Sequence, residues 1–497
     1  MNSKRAIVVG SGVAGLSAAV RLAAKGYKVE VFEAADGPGG KLRERSVKGY
    51  RFDLGPSLFT LPELITEIDR LPGAPPEMPP FEFEKLDRST HYFWPDGKRL
   101  VAWADNERFV AEAVETLGAD ADALRNMLAA SARNFEGTRG VFLDQPMHHA
   151  LSRGPRNGWS PLLKALPRLP LARKLHDFNA RTLKGHPELV QLFDRYATYN
   201  GSDPYRAPAM MNVIPHLEHG VGTFFPRGGM FGIVKHLYLS ATARHVHFHF
   251  NAAVERILHS GKRVTGIQLE NGTQHLAAVV VSNADVYPTY RRLLPDLPQP
   301  ERILSQERST SGLIFYWGVR GTFPELHLHN ILFSEDYKRE FERIANEGDP
   351  GDDPTVYINI TSKLKPDDAP AGCENWFVLV NVAANPEKYN EPAEVERVKQ
   401  AVIARVEQAL GREPGSFESL IEFEDVLRPS DIESRTSSWR GALYGASSNS
   451  PMSAFLRHRN KSRDLKGLYF CGGSVHPGGG IPLCLLSGRI VSELVAP

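Results

Sequence analysis

Cysteine is nearly absent from this chain. Only Cys373, Cys471 and Cys484 occur in 497 residues, and no two of them form a Cys-x-x-Cys pair. That excludes a disulfide framework and points to a reducing compartment. Long apolar runs are missing too: even residues 13–24 are interrupted by Ser17 and Arg21, short of the ~20 residues that span a bilayer. Net charge is scarce, at +1, so the broad basic surface of a nucleic-acid-binding protein is not expected. No charged and apolar leader precedes the first strand, which makes the cytoplasm the expected location. Repeats and low-complexity tails are lacking. The length exceeds one compact domain and predicts two.

What the chain does have is concentrated near its start. Ala6, Ile7, Val8 and Val9 form a short apolar run suited to a buried parallel strand, and Gly10, Gly12 and Gly15 follow in the G-x-G-x-x-G spacing. The first glycine permits a tight turn, the second lets backbone approach a pyrophosphate, and the third lets helix pack on strand. An anion then meets the free N–H groups of the helix, beside Val13 and Ala14. Gly26 is placed to stop that helix, and Val29, Val31 and Phe32 make a second strand. Glu33 ends it, about 20 residues beyond the glycines, where a carboxylate binds a ribose hydroxyl and repels the 2′-phosphate of NADP.

A second glycine turn comes close behind, at Gly37, Gly39 and Gly40, followed by Lys41 and then by Gly55, Pro56 and Ser57. It suits a cofactor whose far half continues past the pyrophosphate. The segment GPGGKLRERSVKGYRFDLGPSLFT resembles the GG-motif flavoproteins of the phytoene desaturase and amine oxidase superfamily. Residues 467–495, with HPGGGIP, and residues 215–230, PHLEHGVGTFFPRGGM, are similar to the carotenoid desaturases within it, closer to the 1-hydroxycarotenoid 3,4-desaturase group than to the phytoene desaturases.

The resemblance implies an α/β fold: a Rossmann-like FAD-binding domain of the GG-motif type with an inserted α+β substrate domain. The FAD-binding domain is expected over residues 1–85, 225–290 and 431–497, and the substrate domain over 86–224 and 291–430. It also implies FAD at Gly10, Gly12, Val13, Ala14, Gly15, Glu33, Gly40, Lys41, Gly55, Pro56, Ser57, Val254, Gly473, Gly480, Ile481 and Pro482. Val254 matches the position whose backbone meets adenine, and the 479–482 turn lies against the flavin ring. The expected activity is insertion of carbon–carbon double bonds into a long, lipid-soluble carotenoid. A phytoene desaturase, a carotenoid isomerase, an amine oxidase and a non-enzymatic pigment or flavin carrier are the competing readings.

Residues 151–184 mix eight cations, one acid and several bulky apolar side chains, among them Trp159, Leu162 and Leu163. Such a stretch suits a membrane surface, although Pro161, Pro167 and Pro170 exclude one long helix. The competing reading is a solvated basic helical hairpin. Val264 to Glu270 reads as a strand, and Asn271 and Gly272 give a type I′ hairpin signal. The acidic loop 346–354 reads as a solvated turn. His245, His247 and His249 alternate, which in a strand puts all three on one face, but Val246, Phe248 and Phe250 already explain the pattern as a half-exposed strand, and no metal is expected. Cys471 reads as a packing residue. His476, Glu218 and His219 are candidate acids or bases, and no catalytic side chain is assigned.

Overall fold

A computed structural model describes residues 4–145, 154, 158–160, 163, 173–450, 453 and 457–496. Strand β1 (Arg5–Val9), helix α1 (Val13–Ala24) and strand β2 (Lys28–Phe32) form the expected opening unit. β1 pairs in parallel with β2 on one side and with Val279–Ser282 on the other. His247–His249 extends the sheet beyond β2 and Leu468–Phe470 extends it beyond Val279–Ser282, giving five parallel strands. Parallel strands are covered on both faces, and this explains why β1 is apolar and buried from Ala6 to Val9 rather than alternating. Val8, Val31 and Val281 pack with Leu16 and Val20 of α1. Ile7, Val9 and Val280 pack on the opposite face with Val286 and Tyr290.

Helix α1 ends where Gly26 adopts φ +82°. The Gly26 N–H donates to the Ala23 carbonyl and the Tyr27 N–H to the Leu22 carbonyl, the Schellman arrangement that satisfies the last carbonyls of a helix. α1 also packs against the C-terminal helix Ile481–Leu494. The approach is close, since a Cβ on Gly488 would meet the Ala14 carbonyl oxygen at 2.7 Å.

The second sheet has seven strands, in the order Ile421–Leu427, Ser311–Arg320, Cys373–Val382, Val356–Asn359, His329–Leu332, Arg88–Phe93 and Arg99–Trp103. All neighbours are antiparallel except the pair His329–Leu332 and Arg88–Phe93. Side chains alternate between its faces. Leu313, Phe315, Ile358, Val378 and Val380 pack with Val398, Val402 and Val406 of helix Pro392–Leu410. Ile314, Tyr357, Phe377 and Leu379 point the other way, into the cavity described below.

Three local expectations are corrected. Arg263–Leu269 and Gln274–Leu276 do form a hairpin, but Gly272 is the residue of its loop with positive φ, and a type I′ turn needs two. Asn271 instead caps the turn, its Oδ1 accepting the Thr273 N–H at 2.9 Å. Asp349 in the acidic loop is buried and ion-paired with Lys388, Arg397 and Arg343 rather than solvated. His245 lies outside the short strand His247–His249, at φ +61°, because the chain is still leaving helix Gly232–Thr242. His249 is occupied by stacking on Phe32 and bonding Glu30 at 3.1 Å, so the three histidines do not share a face. Most of residues 151–172 fall outside the described residues. Among those described, no helix is long and apolar enough to cross a membrane.

Candidate functional site

A cavity of about 1230 Å³ is lined by residues from both sheets. That exceeds the ~300–1,000 Å³ of ordinary small-molecule sites. At one end it meets the β1–α1 turn. Gly10 takes φ +93°, and its N–H donates to the Phe32 carbonyl at 2.8 Å. α1 begins at Gly12 with no side-chain cap and no acid in its first turn. Its first N–H groups and positive dipole end therefore face the cavity uncompensated, as an anion site requires. Gly15 does not line the cavity; a Cβ there would sit 2.2 Å from the Gly10 carbonyl oxygen, so its role is the close helix contact.

Glu33 borders the same space. Its Oε2 accepts from the Ser11 N–H and hydroxyl, both at 2.7 Å, and its Oε1 from the Ala35 N–H at 3.0 Å. Val254 lines the cavity close by. Gly40, Lys41, Gly55, Pro56 and Ser57 line it further along. A Cβ on Gly55 would fall 2.1 Å from the Lys41 carbonyl oxygen, so this second turn tolerates glycine only. Gly473, Gly480, Ile481 and Pro482 line it as well. There helix Ile481–Leu494 starts at Gly480, again without a side-chain cap or an early acid.

Two cations border these turns, Lys41 half-buried and Arg457 buried. Lys41 Nζ donates to the carbonyls of Leu443 at 2.7 Å and Ala442 at 3.1 Å, and burial lowers its pKa to about 8. Arg457 donates to the Tyr444 and Gly473 carbonyls at 3.0 and 3.3 Å, and burial lowers it to about 10. Neither cation is bonded to a carboxylate among the described residues. Glycine turns without room for side chains, two uncapped helix starts and two such cations fit an extended dinucleotide with an anionic centre.

Several site residues were not legible in sequence. Asn283, following the apolar run 279–281, covers the glycine turn, and a Cβ on Gly12 would fall 2.8 Å from its Nδ2. Its position at the carboxyl end of a parallel strand was the available signal. Ser57 Oγ lies 2.6 Å from the Tyr357 hydroxyl, which lies 2.8 Å from His329 Nδ1. Burial pushes His329 down to about 3, leaving it neutral. Glu218 and Arg195 reach the cavity near these groups, whereas His219 sits behind, bonded through Nε2 to the Tyr196 hydroxyl at 3.0 Å. His476 lines the cavity with Nε2 on the Gln145 carbonyl at 3.0 Å. Cys471 is fully buried away from it, its thiol pushed up by desolvation.

Comparison with known proteins fits this arrangement. Residues 13–496 match the family model described as flavin containing amine oxidoreductase. The chain is 48% identical over 494 residues to a 1-hydroxycarotenoid 3,4-desaturase of Flavobacterium sp. (strain P99-3), covering 99% of each. It is 32% identical over 500 residues to a zeta-carotene-forming phytoene desaturase of Myxococcus xanthus, covering 99% of this chain and 93% of that one. The crystal structure of an oxidoreductase from Methanosarcina mazei matches with a TM-score of 0.66 at 16% identity, over 98% of this chain and 100% of that one, a likeness of fold.

Proposed function

Because this chain belongs to the flavin containing amine oxidoreductase family, we propose that it is an FAD-dependent carotenoid desaturase of carotenoid biosynthesis that oxidises the 3,4 bond of a 1-hydroxylated substrate. One observation carries the reading beyond family membership: a single cavity runs from the glycine fingerprint to an apolar sheet face. Its wall there includes Ile314, Ile331, Phe377 and Leu379, with Met210 and Met211. A lipophilic polyene is what such a wall accepts.

The cofactor's contacts are proposed as follows. The α1 N-terminus with Gly10, Gly12, Val13 and Ala14 takes the pyrophosphate, Glu33 the adenosine ribose, and the Val254 backbone the adenine. Gly40, Lys41, Gly55, Pro56 and Ser57 flank the flavin half, and Gly473, Gly480, Ile481 and Pro482 lie against its ring. FAD, when bound, supplies the hydride acceptor that no side chain can be. The chain's own residues align the polyene, exclude water and favour negative charge at the uncapped start of helix Ile481–Leu494.

Residues 1–85, 225–290 and 431–497 are proposed as the FAD-binding part, with 86–224 and 291–430 as the substrate part. Every strand of the five-stranded sheet falls in the first set and every strand of the seven-stranded sheet in the second, which supports the division. Residues 151–184 are proposed to dock peripherally on the membrane that dissolves the substrate. Trp159 is 42% exposed and Leu163 61%, which leaves both large apolar side chains available to a membrane surface.

The test is incubation of FAD-loaded protein with vesicles holding carotenes and hydroxycarotenes. A red-shifted polyene spectrum is expected. No shift with any polyene, together with peroxide release from soluble amines, would replace this reading by an amine oxidase.

A further inference from the structure

One polar cluster interrupts the apolar part of the cavity. Arg195 opens the 3-10 helix Arg195–Asn200, and its side chain is only 8% exposed. Its Nη2 donates to the Tyr92 hydroxyl at 2.8 Å. Its Nη1 reaches the Tyr199 hydroxyl only at 3.4 Å, its Nε has no acceptor among the described residues, and the nearest Glu218 oxygen is 3.6 Å away. A guanidinium carries five N–H donors, and here one is well used. The rings of Tyr92, Tyr196 and Tyr199 hold the cation at 5.3, 4.8 and 5.2 Å from their centroids. Glu218, by contrast, is well supplied. It accepts from Ser89, from Thr90 at 3.3 Å and from Tyr199 at 2.7 Å.

We propose that Arg195, Tyr199 and Glu218 form a hydroxyl-binding subsite that fixes the end of a hydroxylated polyene in the cavity; the inference rests on the desaturase reading above. All three residues line the cavity beside Met210, Met211 and Leu217. An entering hydroxyl accepts from the unspent Arg195 donors and donates to an oxygen of Glu218 or Tyr199, so both of its roles are filled. Cation and anion side by side select a neutral group. The opposite charges of Arg195 and Glu218 cancel, so the cluster offers no net attraction to an ammonium or to a carboxylate. The position also fits. His329 and Tyr357 line the same cavity, and Tyr357 bonds Ser57 next to Gly55 and Pro56. In a 1-hydroxylated chain a single carbon separates the hydroxyl-bearing carbon from the 3,4 bond. A hydroxyl anchor for that bond therefore has to stand near the flavin.

The experiment compares kcat/KM of the holoenzyme for two carotenoids that differ only in the terminal hydroxyl, presented in the same vesicles. A site built around a hydroxyl rejects the analogue without it, so a preference of about 100-fold or more is expected. Tyr199→Phe, which keeps the packing, should cut that ratio about tenfold, mainly through KM, and Arg195→Met should bring it to within a few-fold of unity. The second readout is equilibrium binding of the two polyenes, followed by their effect on flavin absorbance, and it should lose the same discrimination. Equal turnover of both substrates by the unmodified enzyme overturns the subsite but leaves the desaturase. So does an unchanged ratio in FAD-loaded Tyr199→Phe and Arg195→Met. Turnover of neither polyene overturns the desaturase reading and the subsite with it.

Discussion

Replacing Gly15 with alanine adds one methyl group at the tightest point of the contact between α1 and the turn that precedes it. On an exposed helix the change stabilises by up to about 1 kcal/mol. Here the new Cβ lies 2.2 Å from the Gly10 carbonyl oxygen and 3.2 Å from the Asn283 side chain. α1 must retreat until the first contact opens to at least 3.0 Å. Overpacking of this kind costs ~1–3 kcal/mol, which outweighs the propensity gain. The retreat also moves the uncapped N–H groups at the start of α1, so most of the cost falls on cofactor binding. At 1.4 kcal/mol per tenfold, FAD affinity should drop by roughly 10- to 100-fold. The assay is titration of FAD-free protein by flavin fluorescence, with thermal melting of each variant alongside. Gly26→Ala is the control. Gly26 has φ +82°, and no atom of the described residues lies within 4 Å of the place its methyl group would take, so alanine there meets backbone strain alone, about 1 kcal/mol. It should lower Tm and leave FAD affinity unchanged. Equal affinity in Gly15→Ala and the unmodified protein, or equal losses in both variants, would refute the reasoning.

Glu33→Ala should weaken FAD about 10- to 100-fold in the same titration, the worth of hydrogen bonds to a charged group, and unaltered affinity would remove Glu33 from the site. His329 is neutral in the fold because burial lowers it from 6.5 to about 3. Its contribution to stability is complete above pH 6.5 and lost as pH falls toward 3, at up to about 1.4 kcal/mol per pH unit. Denaturant melts between pH 7 and 4.5 should therefore fall less steeply in His329→Gln, and parallel curves would contradict the assignment. Trp159→Glu with Leu163→Glu should abolish co-sedimentation with anionic vesicles, which in the unmodified protein should weaken with salt; undiminished binding would reject the membrane proposal.

The opening βαβ unit was legible because its signals are local. The apolar run into β1, the glycine spacing and the stop at Gly26 each act within a few residues, and the fold repeats them nearly residue for residue. The lining residues of the two glycine turns and of HPGGGIP were legible through resemblance, and the fold brings all of the expected cofactor residues except Gly15 to one cavity. Of the Arg195 cluster only Glu218 was singled out, as a candidate acid or base, and its meeting with Arg195 and Tyr199 was not legible. The cluster's members come from the strand Arg88–Phe93, the 3-10 helix Arg195–Asn200 and the π-helical turn Leu217–Val221, and no spacing along the chain encodes that meeting. Asn283 and the link from the expected Ser57 to Tyr357 and His329 were missed for the same reason: tertiary packing joins groups hundreds of residues apart. The hairpin at Asn271 and Gly272 shows the opposite failure, a local signal that matched the wrong turn class.

The most direct measurement is anaerobic mixing of FAD-loaded protein with one equivalent of a 1-hydroxylated carotenoid, reading the flavin and polyene bands together. The account predicts bleaching of the oxidised flavin band in step with a red shift of the polyene, one product for each flavin reduced. A polyene that binds while the flavin band stays unchanged would contradict it.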